Sequence, residues 1–392
     1  MNPGGAQRIL QVQDPVIPIV GEWTRDNPGT ISLGQGVVSW QPPEEVYAAL
    51  SEFRSSAENH KYKLVQGIPE LLAGIETKLA ADNDIKANAQ ERVVVTAGAN
   101  MGFMNAVLAI TDPGDEIILP CPYYFNHEMA IRIAGCEPVI VPTDANHQPD
   151  QDKLSAAITK KTRAIVTISP NNPSGAVYAE DTLRAINAAC AKHGIYHIAD
   201  EAYEYFTYEG ARHFSTGSVS GTEAHTISLY SLSKAYGFAS WRIGYMVIPP
   251  KLLDSIKKIQ DTNLICPPVI SQFAAVAAMR AGIPAIRQHL EKLAGVRRDC
   301  LQLLGSLEGL ATFAPATGAF YFLIKVDTAL SSIDLVRQLV EKHKVAAMPG
   351  SAFGLEEGCY IRISYGALSK DSVMDGIGRL VEGIQGIREP KS

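Results

Sequence analysis

The sequence predicts an α/β fold, with a large domain over residues 46–284 on a mostly parallel central sheet and a smaller α+β domain over residues 285–392. Three observations carry that expectation. From about residue 46, short apolar or β-branched runs alternate with stretches of helical periodicity, the pattern of strands joined by crossover helices. Strands alternating with helices imply a sheet covered on both faces. Beyond Gly282-Ile-Pro284 the alternation changes character, and 392 residues are too many for one simple core.

In chain order, residues 1–45 are rich in Pro and Gly and read as an arm laid on the small domain. Helical periodicity marks 43–58, 69–82, 101–111, 181–193, 251–260 and 268–281. Strands fall at 93–97, 116–119, 138–141, 163–168, 195–199, 226–230 and 243–248. The second domain opens with a long charged helix, about 285–308. It continues with a strand in Gly318-Ala-Phe-Tyr-Phe-Leu-Ile-Lys-Val326, a helix at 332–343, and strands at 345–348 and 359–364.

Hydrophobic residues make up 46% of the chain and charged residues 19%, which fits a globular protein with ample core. A net charge of −6 gives no basic footprint for nucleic acid and no polybasic patch for a membrane. Cys121, Cys136, Cys190, Cys266, Cys300 and Cys359 are scattered, with no CxxC and no zinc spacing. Reduced thiols and no metal site are therefore expected. No apolar run reaches membrane-spanning length, and the polar start lacks a signal-peptide core, so the expected location is cytoplasmic. A dinucleotide fingerprint and a Walker-type loop are both missing.

Polar residues recur at the carboxyl ends of the expected strands, where open α/β sheets collect ligands. The richest stretch is Ser231-Leu-Ser-Lys-Ala-Tyr-Gly-Phe-Ala-Ser-Trp-Arg242, entered from Thr226-Ile-Ser-Leu-Tyr230. Lys234, just beyond a buried strand, is placed to be desolvated, which lowers its pKa and makes its amine nucleophilic. Ser231 and Ser233 point the same way in extended chain, and with Arg242 they form a candidate phosphate cradle. An imine-forming lysine beside such a cradle is what pyridoxal phosphate (PLP) requires.

The other strand ends are consistent with that cofactor. Val93-Val-Val-Thr-Ala-Gly-Ala-Asn100 runs into a helix, so Gly98, Ala99 and Asn100 can offer backbone N–H groups to an anion. In Ser169-Pro-Asn-Asn-Pro-Ser-Gly175, Pro173 keeps Asn172 extended and can hold its amide towards a ligand. Asp200, in Ile195-Tyr-His-Ile-Ala-Asp-Glu-Ala-Tyr203, ends a buried strand where a carboxylate needs a partner such as a protonated pyridine nitrogen. Glu201 is expected to face outward or cap a turn. Pro122-Tyr-Tyr-Phe-Asn-His127 offers Tyr124 for ring stacking and His127 to orient Asp200. Arg362, inside the apolar Gly358-Cys-Tyr-Ile-Arg-Ile-Ser-Tyr-Gly366, reads as a fork for a carboxylate rather than half of a structural ion pair. Tyr62 sits on a loop before a helix, and its surroundings single it out for nothing.

In this order, from Leu33-Gly-Gln-Gly36 to Arg362-Ile-Ser-Tyr-Gly366, the motifs resemble the PLP-dependent class I aminotransferases of fold type I. The resemblance implies that Lys234 bonds to the cofactor aldehyde and then moves the substrate proton as base and acid. It implies that Asp200 keeps the pyridine nitrogen protonated, with His127 supporting it. Tyr203 and Asn172 would bond the phenolic oxygen, and Tyr124 would stack on the ring. Ser231, Ser233, Arg242 and the backbone of Gly98, Ala99 and Asn100 would hold the phosphate. It further implies a homodimer, in which Tyr62 reaches the neighbouring subunit's phosphate. Arg362 and the Gly36 region would bind the substrate carboxylate.

Two departures bear on substrate. Bacterial aspartate aminotransferases of this subgroup often carry lysine where this chain has Asn100, and Gly-x-Pro-Asp-Phe where it has Gly36-Val-Val-Ser-Trp40. Without that cation an acidic side chain lacks its partner, and Trp40, Tyr123, Phe320 and Phe353 are candidate walls of an apolar pocket. Stretches at 35–43, 95–100 and 122–126 resemble a plant and cyanobacterial branch associated with aromatic amino acids and methionine. The expected reaction is a ping-pong exchange of the amino group between such an amino acid and a 2-oxo acid. Aspartate-type or kynurenine/glutamine-type transamination, and a PLP-dependent β-lyase on the same fold, are the alternatives.

Overall fold

The computed structural model describes residues 5–387, so the outer ends of the expected arm and small domain, 1–4 and 388–392, lie outside the described residues. The arm is partly helical: Val16–Asp26 forms an α-helix despite Pro18 and Gly21, with Val16 and Val20 one turn apart on its buried side. After it, β1 (Ile31–Ser32) pairs in parallel with a short strand at 345–346.

Seven strands form the central sheet: β2 (Val93–Thr96), β3 (Glu116–Cys121), β4 (Glu137–Pro142), β5 (Thr162–Ile168), β6 (Tyr196–Asp200), β7 (Thr226–Ser231) and β8 (Gly244–Val247). Their order is β2-β8-β7-β6-β5-β3-β4, and β8 alone runs antiparallel to its neighbours. That exception positions chemistry. β8 enters the sheet on the rim where the parallel strands leave it, so Arg242, just ahead of β8, joins their carboxyl ends. Alternate residues serve opposite faces. Ile117, Leu119, Ile227, Leu229 and Met246 belong to one apolar cluster, whereas Val93, Val95, Tyr230 and Tyr245 belong to the main core. Each such side chain, fully buried, contributes about 1.5–3 kcal/mol, which makes the sheet a stiff platform.

The helices Pro69–Asp82 and Glu180–His193 lie at the expected places, the first opened by its own proline and the second closed by Gly194 in the left-handed region. Beyond the arm, the helices Phe125–Ile133, Gln151–Ala156 and Lys370–Gly386 have no counterpart among the expected ones. The two expected helices at 268–281 and 285–308 form one run, Val269–Leu304, broken at Gly282 (φ 59°, ψ −160°) just ahead of Pro284. By length and composition this run could cross a membrane, which corrects the expectation that no such stretch exists. Here it is a kinked core helix packed against Glu44–Phe53 and Pro69–Asp82, with Ala274, Ala275 and Ala278 fully buried.

The second sheet contains β9 (Ala311–Thr312), β10 (Tyr321–Val326), β12 (Met348–Pro349) and β13 (Cys359–Ser364), in the antiparallel order β12-β13-β10-β9. The expected strand at 345–348 is split. Its first half, β11 (Val345–Ala346), pairs with β1, and the helix Ser332–His343 touches the arm helix Val16–Asp26.

Candidate active site

The carboxyl ends of β2, β3, β5, β6 and β7 and the start of β8 surround a cavity of about 270 Å³. Ala99, Asn100, Tyr124, Asn172, Asp200, Tyr203, Ser231, Ser233, Lys234 and Arg242 all line it. Val37, Ile168, Ala202 and Ala239 line it too, and no motif had singled them out.

Ser231 caps a single helical turn, Leu232–Ala235, by accepting the Ser233 N–H at 3.1 Å. Ser231, the last residue of β7, is in extended chain as expected, whereas Ser233 lies inside the turn; both still line the cavity. The same turn carries Lys234, whose Nζ donates to the Gly36 carbonyl at 2.5 Å. Desolvation, followed by the Arg362 and Arg242 guanidiniums, pushes the Lys234 pKa down to about 8 against an opposing pull from Asp200.

Asp200 is buried, and its Oδ2 lies 3.1 Å from His127 Nε2, while Oδ1 accepts the Ala202 N–H at 3.1 Å. The His127 ring lies flat on Phe103 at 3.9 Å, which fixes its plane. Tyr124 Oη accepts from Asn126 Nδ2 at 2.8 Å, and burial raises its pKa. In the turn after β5 the two asparagines divide the work. Asn171 Oδ1 takes the Ser174 N–H and hydroxyl at 3.0 and 2.8 Å and so builds the turn, leaving Asn172 on the cavity wall.

Arg362 is buried but does not line the cavity. Its Nη1 donates to Asn172 Oδ1 at 2.8 Å and its Nη2 to the Gly34 carbonyl at 2.5 Å, and its Nε has no partner. No acidic residue pairs with it among the described residues, so the ion-pair reading has no support.

Several candidates lie elsewhere. Trp40 does not face the cavity: its Nε1 donates to the Ala235 carbonyl at 3.0 Å and its ring stacks on His289. Phe320 is core, Phe353 packs between Phe125 and Arg362, and Tyr123 packs against Gly354. The proposed aromatic pocket is thus not built from these four, whose rings pack against other residues outside the cavity lining. Glu201 is buried, not outward-facing, and its Oε2 bonds His213 and Ser215. Tyr62 is 77% exposed and does not line this chain's own cavity. A residue that the motifs missed is Tyr321, whose hydroxyl lies 2.6 Å from that of Tyr203.

PLP needs an amine, a carboxylate for its ring nitrogen and a cradle for its phosphate. The residues present fit it. At the cradle a Cβ on Gly98 would stand 2.3 Å from Arg242 Nη2, and its φ of 86° also demands glycine, so that corner stays open for an anion. Fold and site together define the class: PLP-dependent enzymes of fold type I.

Residues 28–380 match the family described as aminotransferase class I and II. Aromatic aminotransferase ISS1 of Arabidopsis thaliana is 33% identical, over 97% of this chain and 96% of its own. An aspartate aminotransferase of Pyrococcus abyssi is 32% identical, over 86% of this chain and 87% of its own. The solved structure of the aspartate aminotransferase from Thermus thermophilus with maleate superposes with a TM-score of 0.88 at 29% identity, covering 97% of this chain and 100% of that one. The chain belongs to this family and is a PLP-dependent aminotransferase acting on amino acids and 2-oxo acids.

Proposed function

We propose that the preferred amino donor is an aromatic amino acid or methionine. The observation that carries this reading is Asn100. It supplies no cation to a distal carboxylate, and it lines the cavity together with Tyr124. The lysine and arginine that line the cavity are Lys234 and Arg242, which the reaction and the phosphate would occupy. The remaining wall is apolar, from Val37, Ile168, Ala202 and Ala239. Relatives at this distance include enzymes named for aromatic amino acids and for aspartate, so donor preference rests on these residues.

When bound, PLP supplies an electron sink that makes the substrate Cα–H acidic. Lys234 Nζ, displaced by the substrate amine and with its pKa lowered by burial, would accept the Cα proton and later return it. Asp200, oriented by His127, would hold the ring nitrogen protonated. Tyr203 and Asn172 would bond the phenolic oxygen, and Tyr124 would cover the ring. Ser231, Ser233, Arg242 and the amides of Gly98, Ala99 and Asn100 would bind the phosphate. Arg362, a buried charge with only carbonyl acceptors, would take the substrate α-carboxylate. A homodimer, with exposed Tyr62 completing the partner's site, and a cytoplasmic location belong to the same reading. Six free, buried cysteines support a reducing compartment.

The test mixes loaded enzyme with Phe, Tyr, Trp, Met, Asp, Glu or Ala, one at a time, and follows loss of the visible cofactor band. Phe and Met are expected to convert it fast and Asp slowly, with Asn100→Lys raising the Asp rate. Asp outrunning Phe in the parent enzyme would overturn the donor preference and leave transamination intact.

A further inference from the structure

Tyr321 lies on β10 in the second sheet, yet it touches three groups around Lys234. Its hydroxyl is 2.6 Å from Tyr203 Oη, and their rings meet edge to face at 5.6 Å. The Arg362 guanidinium lies 4.5 Å over its ring, a diagonal cross-strand neighbour set by the pairing of Leu323 with Arg362. Its hydroxyl also abuts Gly36, where a Cβ would come within 2.4 Å, and the Gly36 carbonyl holds Lys234 Nζ. The phenol is fully buried, so its single proton must go to a nearby acceptor.

We propose that Tyr321 is a positioning residue for transamination: it donates its proton to Tyr203 Oη and thereby strengthens the hydrogen bond that Tyr203 gives to the phenolic oxygen of PLP. The inference rests on the reading that Tyr203 bonds that oxygen. A phenol has one proton, so a Tyr203 that donates to the cofactor can only accept in the 2.6 Å contact. Relayed hydrogen bonds polarise one another, and burial keeps water from substituting. Burial holds both phenols above their ordinary pKa, so both keep their protons across the working pH range. The other charged and titratable groups that face the pair are Arg362, Tyr124 and Lys234.

The experiment is a spectral pH titration of the loaded enzyme's visible cofactor band, without substrate, in the parent, Tyr321→Phe, Tyr203→Phe and the double variant. A weaker hydrogen bond to the phenolic oxygen leaves more electron density on the adjacent imine nitrogen. The band's midpoint should therefore rise in Tyr321→Phe by about half to one pH unit, the size of one neutral hydrogen bond. Tyr203→Phe should raise it more, and the double variant should match Tyr203→Phe alone. Incorporating 3-fluorotyrosine at 321, a stronger donor, should shift the midpoint the opposite way, which separates polarisation from any damage to packing. Additive shifts in the double variant, or an unmoved midpoint in Tyr321→Phe, would overturn the proposal. An unmoved midpoint in Tyr203→Phe would instead sink the underlying reading of Tyr203, and the proposal with it.

Discussion

Lys234 affects stability and chemistry in opposite directions. Its folded-state pKa of about 8 lies below the ordinary lysine value, so the folded chain resists protonating it. In cofactor-free protein that resistance costs stability below about pH 8; the cost fades as pH rises towards the unfolded lysine value of about 10.4 and is gone above it. Lys234→Met should therefore melt above the parent at pH 7, with the gap closing by pH 10.5 or so. Thermal melts of the two proteins across that range check it, and a gap that widens with pH would contradict the assigned shift. Lys234→Ala should abolish turnover, and near-normal activity in that variant would remove Lys234 from the reaction. At this scale the sequence was legible where a residue sits in a contiguous strand-to-turn motif, as Lys234, Asp200 and Asn172 do. Tyr321 was not legible, because a tyrosine in a buried apolar strand reads as core and its partner Tyr203 is 118 positions away.

Elements explain why separate motifs become one site. The strand β8 is reversed in a parallel sheet, and that reversal delivers Arg242 to the rim formed by the ends of β2 and β7. Its guanidinium donates to the Ala239 and Ala97 carbonyls at 2.9 and 3.1 Å, which clamps it against Gly98. Gly98→Ala would drive a Cβ into that guanidinium and strain a glycine-only backbone conformation. The expected result is a loss of about 1–3 kcal/mol in stability and about tenfold or more in cofactor affinity. Denaturant melts and cofactor titration read the two separately; an unchanged affinity would mean Arg242 and the Gly98 amide are not the cradle. Period and punctuation in the sequence located the seven strands of the central sheet and the helices at 69–82 and 181–193. The helix Lys370–Gly386 escaped because Gly376, Gly378 and Gly383 weaken its propensity. Its spacing of Val373, Ile377, Leu380 and Ile384 nonetheless presents one buried face. Packing against the Val269–Leu304 helix and Ser332–His343 overrides the glycine penalty.

Across the whole molecule, Arg362 ties three parts together. It projects from β13, bonds Asn172 beyond the end of β5, and bonds the Gly34 carbonyl of the arm. Those acceptors are neutral, and Nε has none, so a full positive charge is buried without an anion. Burying a charge that way opposes folding, and a bound carboxylate would relieve it. The arm, the small sheet and the large sheet should therefore gain stability together when a carboxylate binds, without any chemistry. An inert aromatic acid lacking an amine, 3-phenylpropionate, isolates this effect in the loaded enzyme. At about one hundred times its Kd it should stabilise the fold by about 2.7 kcal/mol and raise the melting temperature as one cooperative transition. Arg362→Met removes the lone charge while keeping apolar bulk, so it should melt no lower than the parent in the absence of ligand and show no shift on adding the acid. Differential scanning calorimetry with and without the acid decides the matter. A variant that melts well below the parent yet keeps the full ligand shift would mean that Arg362 is a structural tie and that the carboxylate binds elsewhere.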